Sequence, residues 1–227
     1  MSVAAPALRP SHPTTRELVL VPAIITLAVT LLRLVGELQG WSPTFFSRQA
    51  GGGGAVVGIV WLVLVFGVWF GWKLTRAGQG PVSYGRAIGF PLLGLVIVPL
   101  SGAAANGLGL SPIGTLVVVS IVFLIGSWIA CRGWRELGHV LFVYALAARV
   151  PVAIVMLVAI LGNWGTHYDV APPDFPAMGP VAKWALIGLF PQLTVWVGFT
   201  IVVGMVFGWL GALVARNRPS QAVRDAA

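Results

Sequence analysis

The sequence predicts an all-α protein: a polytopic integral membrane bundle of about six transmembrane helices with both termini in the cytoplasm. Composition is the first observation behind this prediction, since 58% of the 227 residues are hydrophobic and only 9% are charged. The mean hydropathy of +0.93 leaves too little polar surface to solvate a globule in water. The second observation is that basic residues gather in every second gap between long apolar segments. Lipid is therefore the predicted solvent.

Six apolar segments are each long enough to cross a bilayer, which takes about 20 residues of helix. They are residues 18–38, 55–72, 87–103, 113–131, 140–161 and 186–214. We therefore expect a cytoplasmic tail over residues 1–16, one transmembrane domain over residues 17–215, and a second cytoplasmic tail over residues 216–227. The remaining length leaves no room for a separate soluble domain.

The basic residues outside these segments predict the orientation. The two tails and the second and fourth gaps hold ten of them, whereas the first, third and fifth gaps hold only Arg48 and Lys183. Because cytoplasmic loops retain Lys and Arg during insertion, both termini are expected in the cytoplasm. The preference for Arg over Lys and the abundance of Gly, Ala and Val are typical of high-GC bacterial genes, so we expect a multi-pass protein of a bacterial inner membrane. The ten residues are Arg9, Arg16, Lys73, Arg76, Arg86, Arg132, Arg135, Arg216, Arg218 and Arg224.

The first helix has a recognisable start. Thr14 and Glu17 have the spacing of a capping box, in which each side chain satisfies the other residue's free backbone amide. The apolar run that follows is too long for the central region of a cleavable signal peptide, so we expect this helix to remain in the protein.

The second and sixth segments share glycine pairs near their predicted cytoplasmic ends. Gly67-x-x-x-Gly71 and Gly204-x-x-x-Gly208 each place two glycines on one face of a helix. Such faces permit close contact between helix backbones, so we interpret both pairs as packing features.

The sixth segment is longer than a straight span requires. Residues 183–214 would extend about 48 Å as an α-helix, against a hydrocarbon core of about 30 Å. Pro191 removes a backbone donor and predicts a kink, with a short outer piece before it and the span starting near Leu193. Gln192 is expected to take up a backbone group that the proline frees.

Three charged residues inside the predicted spans form a candidate intramembrane charge site: Arg33, Glu37 and Arg149. A central Arg costs about 2.5–3.5 kcal/mol on insertion scales, so these groups should face the bundle interior or water. The i, i+4 spacing predicts a local ion pair between Arg33 and Glu37 near the outer interface, with the side chains reaching toward the headgroups.

Arg149 has no carboxylate at its level in the predicted bundle. Pro151 frees a carbonyl nearby, which the guanidinium could bind, as could an anionic substrate, a lipid headgroup or a carboxylate of a partner subunit. If the fifth helix begins deeper in the membrane than predicted, Arg149 is instead interfacial.

The fifth gap carries a candidate extracytoplasmic loop site made of His167, Asp169 and Asp174. His167 and Asp169 could orient a proton or a divalent ion, but one histidine and two carboxylates do not complete a zinc or calcium pattern. The alternative is a proline-stiffened cap over the helix ends.

Familiar catalytic chemistry is not predicted. The chain has no H-E-x-x-H or G-x-S-x-G motif and no paired carboxylates within a span. His139 and His167 are about 42 Å apart along the predicted fifth helix, so they cannot share one metal or haem. We expect no metal site and no cofactor, and an enzyme is not favoured, although one that uses His167 and Asp169 remains an alternative.

Two classes of function fit the sequence. The favoured one is an accessory or structural subunit of a membrane assembly, on the basis of short loops, small-residue helix faces, an uncharged third gap and an unpartnered Arg149. The alternative is a small transporter or channel in which Arg149, together with Arg33, attracts an anionic solute. The expected partners are the lipid bilayer and either partner subunits or further copies of the chain. Nucleic acid is not expected, because the basic residues are spread over four short segments.

Overall fold

The computed structural model describes residues 13–52 and 54–216, and this part of the chain is all-α, as predicted. Most of the two predicted tails, with Arg9, Arg218 and Arg224, lies outside the described residues. The helices are α1 (Thr15–Leu38), α2 (Leu62–Arg76), α3 (Tyr84–Gly107), α4 (Pro112–Cys131), α5 (Arg135–Gly162) and α6 (Pro180–Arg216). The predicted capping box starts α1: Thr14 N donates to Glu17 Oε2 at 2.8 Å, and Glu17 N donates to Thr14 Oγ1 at 3.3 Å.

Five helices are long and apolar enough to cross a membrane: α1, α3, α4, α5 and α6. The remaining helix, α2, has 15 residues and extends only about 22 Å. The predicted start of the second span at residue 55 is wrong, because residues 55–61 form bends and turns. Their backbone pairs elsewhere: the amides of Val56 and Val57 donate to the carbonyls of Thr44 and Phe45, both at 3.1 Å.

The last helix, α6, is continuous from Pro180 to Arg216. The predicted short outer piece is therefore part of the same helix as the span, and the irregularity expected at Pro191 takes the form of two π-helical stretches, Trp184–Leu189 and Gln192–Trp196. A π-helical turn shifts a backbone hydrogen bond to the fifth residue back, and the Phe190 amide accordingly donates to the Ala185 carbonyl. Thr194, and not Gln192, binds the backbone beside this proline: its Oγ1 donates to the Phe190 carbonyl at 2.7 Å.

The glycine pairs of α2 and α6 face each other, which confirms the predicted close contact. A Cβ atom on Gly67 would lie 2.8 Å from the carbonyl oxygen of Gly204, and one on Gly71 would collide with the carbonyl of Gly208. Because backbone atoms occupy the space, a side chain on this face of α2 could not be accommodated by a rotamer change.

The bundle has two distinct ends. At the basic end, Trp134 Nε1 donates to the Gln79 carbonyl at 2.9 Å, which ties the α4–α5 connection to the α2–α3 connection. Arg216, at the end of α6, lies over the Tyr84 ring at 5.3 Å. At the opposite end, here the loop end, the α1–α2 and α5–α6 connections meet the end of α1. The placement of the basic end in the cytoplasm of a bacterium stays a prediction.

Candidate functional site

A cavity of about 400 Å³ lies between α1, α4, α5 and α6 and reaches the connections at the loop end. This volume is within the range of about 300–1,000 Å³ that is typical of small-molecule pockets. Most of the lining is apolar. The polar and aromatic side chains in it are Thr30, Arg33, Thr115, Arg149, His167, Tyr168, Phe175, Gln192 and Trp196.

Arg149 is enclosed in this cavity near the middle of α5. It lies about 20 Å from either end of the helix at 1.5 Å per residue, and it is only 3% exposed. α5 starts at Arg135, five residues before the predicted start of the fifth span. Arg149 is therefore farther from the start of its helix than predicted, not nearer to it.

The guanidinium of Arg149 has an aromatic neighbour but no hydrogen-bond acceptor among the described residues. Its central carbon lies 4.8 Å from the centroid of the Trp196 ring, a cation–π distance. Within residues 13–52 and 54–216, Arg149 forms no hydrogen bond or ion pair, and its buried Nε has no partner. The carbonyl that Pro151 frees is therefore not used by Arg149.

The π-helical stretch of α6 after Pro191 contributes two side chains to the cavity lining. Gln192 and Trp196 both line the cavity, and π-helical turns are frequent at functional sites. Gln192 does not bind the backbone as predicted; its Nε2 lies 3.7 Å from Met156 Sδ, and its Oε1 is buried without a partner. Thr115 Oγ1 on α4 is also buried and has no partner within residues 13–52 and 54–216.

Arg33 and Glu37 form the ion pair that their spacing predicts, with Arg33 Nε 2.8 Å from Glu37 Oε1. The side chains do not reach toward headgroups, because Glu37 is fully buried and Arg33 is 9% exposed. Arg33 Nη2 also donates to the carbonyls of Ser47 at 3.3 Å and Gly52 at 2.9 Å. The charge of Arg33 is thus satisfied, in contrast to that of Arg149.

His167 connects the two candidate sites. Its backbone amide donates to Glu37 Oε2 at 2.9 Å, and its Nδ1 lies 2.5 Å from Glu37 Oε1, close but not aligned as a hydrogen bond. Burial lowers the pKa of the His167 imidazole, and the charge of Arg33 acts in the same direction, whereas Glu37 opposes both. His167 therefore takes up a proton less readily than a free histidine does, and Arg33 is the permanently charged partner of the buried Glu37 carboxylate.

Tyr168 follows His167, lines the cavity and contacts α1. Its hydroxyl donates to the Thr30 carbonyl at 3.1 Å, and its ring lies 3.8 Å from the His167 ring. Burial raises the pKa of the Tyr168 phenol, so this hydroxyl stays a hydrogen-bond donor at neutral pH.

Among the described residues, neither carboxylate of the loop site hydrogen-bonds to His167, although the charge of Asp169 acts on its imidazole. Asp169 accepts hydrogen bonds from Gly165 N at 2.9 Å and from Thr166 N and Thr166 Oγ1, both at 2.7 Å, so it stabilises its own turn. Asp174 is exposed and forms no hydrogen bond or ion pair with another described residue. In the described part of the chain, no group of three or more His, Cys, Asp or Glu side chains could hold a metal ion.

Sequence reasoning missed Gln192, Trp196 and Tyr168 as cavity residues. The excess length of the last segment around Pro191 was a signal for the first two, since it required an irregular helix at that point. Tyr168 gave no signal, because its position depends on how the α5–α6 connection folds back onto α1.

Comparisons with protein-family models, curated proteins and solved structures found no match to this chain. A functional interpretation must therefore come from the geometry of the cavity. The feature in it that demands a ligand is the buried guanidinium of Arg149.

Proposed function

We propose that this membrane protein binds an organic anion in the cavity and carries it across the membrane, with Arg149 as the group that neutralises the anion. One observation carries the proposal: a guanidinium that is 3% exposed and has no acceptor among the described residues. An uncompensated buried charge is strongly destabilising, so a structure that keeps one gains from an anion that fills the cavity.

The lining indicates an anion with an apolar body. Val152, Met156 and Ile187 supply apolar walls, while Gln192 and Thr115 offer further hydrogen-bonding groups. A guanidinium binds carboxylate and phosphate groups in a bidentate manner, whereas a bare inorganic ion would leave the apolar wall unused. The expected ligand class is therefore a small carboxylate or phosphate monoester with an apolar substituent.

The position of the cavity favours transport over permanent binding. Pro172 and Phe175 of the α5–α6 connection line it together with the mid-helix Arg149, so it extends from the loop end into the middle of the bundle. Substrate sites near the middle of the membrane, next to irregular helices, are typical of transporters. The π-helical part of α6 supplies that irregularity here.

The subunit function that the sequence favours has less support. Arg149 is enclosed, so a carboxylate from another chain would have to insert into the cavity to meet it. The small-residue faces of α2 and α6 contact each other, so they are not free for a partner. Association with partner subunits or further copies of the chain stays a prediction.

Binding and transport can be tested separately. The purified chain in lipid nanodiscs is titrated with phenylacetate and phenyl phosphate, with benzyl alcohol as the uncharged control. We expect both anions to bind the native protein, and Arg149→Leu to weaken binding about 10–100-fold, the range for losing a charged hydrogen bond. Arg149→Lys should weaken it less, and Arg76→Leu, an exposed arginine outside the cavity, should bind as the native protein does.

Flux is then measured in proteoliposomes with the same two anions. Uptake that is lost in Arg149→Leu and kept in Arg76→Leu supports the carrier function. Binding without uptake would limit the proposal to an anion-binding protein. If neither anion binds, or if Arg149→Leu and Arg149→Lys both leave binding and uptake unchanged, the site assignment is wrong.

A further inference from the structure

A second recess, separate from the cavity, lies at the basic end of the bundle. It has a volume of about 690 Å³ and is lined by Arg86 of α3, Trp128 and Cys131 of α4, and Arg132 and Arg135 at the start of the α4–α5 turn and of α5. We call it the arginine recess. Three arginines that line one depression give it a positive local surface.

The three arginines of the recess have no acidic partner in the described part of the chain. Within the described chain, Arg86, Arg132 and Arg135 form no ion pair, although Glu136 is adjacent in sequence and exposed. Two of the three contact aromatic rings: the Arg132 guanidinium lies 3.6 Å from the Trp128 ring centroid, and that of Arg86 lies 5.7 Å from the centroid of Phe90. Stacking on a ring fixes a guanidinium in place while its N–H groups stay available to an anion.

An exposed apolar stripe leads from the recess along α4. Trp128, Ile125, Leu124 and Ile121 are 46–57% exposed, and their spacing places them on one face of the helix. Only 17% of the apolar segment of α3 and 22% of that of α4 are buried inside the bundle. Both helices therefore present wide surfaces to lipid. A ligand that fits both features carries a negative headgroup and an acyl chain.

We propose that the arginine recess binds the phosphate of an anionic phospholipid, whose acyl chain lies along the stripe from Trp128 to Ile121. Basic pockets between transmembrane helices at the cytoplasmic face recognise such headgroups. The recess lies at the end of the bundle opposite the loop end and shares no lining residue with the cavity around Arg149. This inference is therefore independent of the anion-carrier function.

The test uses the full chain in phosphatidylcholine nanodiscs with increasing fractions of phosphatidylglycerol, and measures bound phosphatidylglycerol by native mass spectrometry. The variant R86Q/R132Q/R135Q removes the recess charges, and R86K/R132K/R135K keeps them. The variant R16Q/K73Q/R76Q removes three positive charges that do not line the recess. Inorganic phosphate is added as a competitor to distinguish a lipid from a soluble source of the same group.

We expect the native protein to retain phosphatidylglycerol about tenfold or more above the glutamine triple variant of the recess. The control variant R16Q/K73Q/R76Q should retain phosphatidylglycerol to within about twofold of the native protein, because it loses only surface charges that salt screens. Equal loss in both glutamine variants would show general surface attraction and overturn the site. Displacement of the lipid by millimolar inorganic phosphate would overturn the assignment of the ligand as a lipid. A native level of bound lipid in R86Q/R132Q/R135Q would overturn the assignment of the site. The lysine variant must retain lipid better than the glutamine variant for the proposal to stand.

Discussion

Glu37 of α1 and His167 of the α5–α6 connection meet at the loop end, although they are 130 positions apart in the chain. The His167 amide donates to Glu37 Oε2 at 2.9 Å, while Glu37 Oε1 lies 2.8 Å from Arg33 Nε. One fully buried carboxylate therefore anchors the connection that covers the cavity and also balances the arginine beside it. This side chain therefore joins α1, Arg33 and the α5–α6 connection at the loop end.

The first prediction concerns loss of that charge. Glu37→Gln leaves Arg33 buried without its counter-ion and weakens the contact with His167. Breaking a buried ion pair by removing one partner costs about 3–5 kcal/mol, so we expect a large loss of thermal stability. The measurement is a thermal or detergent unfolding curve of the purified protein.

Glu136→Gln is the matched control, because Glu136 is exposed at the start of α5 and forms no ion pair with another described residue. Its effect should stay within about 0.5 kcal/mol, as for most surface substitutions. Similar stability in Glu37→Gln and Glu136→Gln would contradict the anchoring role of Glu37.

The second prediction concerns pH. The folded protein lowers the pKa of His167, chiefly by burial. The unfolded chain, whose histidine titrates near pH 6.5, therefore binds a proton more readily than the folded one. The resulting contribution to stability is present above about pH 6.5 and is lost as the pH falls through the folded pKa.

His167→Asn isolates this effect, since it keeps the backbone amide that binds Glu37 but removes the titrating ring. We expect the melting temperature of the native protein to fall on acidification below about pH 6.5, and that of the variant to fall less. Identical pH profiles would show that His167 does not titrate in this window. The charged and titratable neighbours that act on it are Glu37, Arg33 and Asp169.

The third prediction separates stability from function at Arg149. Arg149→Met keeps a long side chain and removes an uncompensated charge from the interior of the bundle. We expect the free protein to become more stable by about 1–3 kcal/mol, because an unpaired membrane arginine costs about 2.5–3.5 kcal/mol and the lost cation–π contact with Trp196 offsets part of that gain. The same variant should no longer be stabilised by phenyl phosphate in a thermal-shift measurement. A less stable variant would indicate that Arg149 has a partner and that the anion is not needed.

Features of this fold that depend on residues close together in the sequence are predictable from the sequence. The apolar runs and the capping box at Thr14 and Glu17 are local, so they predict the helices and the start of α1. The pair Arg33–Glu37 is one helical turn apart, so its spacing is enough to predict it. The glycine pairs predict close packing, although not which helices meet.

The missed features depend on contacts between distant parts of the chain. The turns at residues 55–61 replace a helix because Val56 and Val57 pair with the backbone of Thr44 and Phe45. The link between Glu37 and His167 joins residues that local patterns treat as separate sites. In the cavity, Arg149 is predictable as a costly charge, but its neighbour Trp196 becomes visible only once the π-helical course of α6 is known.

The last prediction concerns the contact between α2 and α6. A methyl group on Gly71 would collide with the backbone of Gly208, which has no rotamer with which to move away. Gly71→Ala should therefore push the two helices apart and destabilise the protein by about 1–3 kcal/mol, despite the better helix propensity of alanine. Gly89→Ala on α3 is the matched control, since a Cβ there meets no atom within 4 Å. It should leave stability unchanged or raise it by up to about 1 kcal/mol.

The helix α2 is too short to span a membrane alone, so we expect its position to depend on this contact. Equal stability of Gly71→Ala and Gly89→Ala would mean that other interactions hold α2 in place.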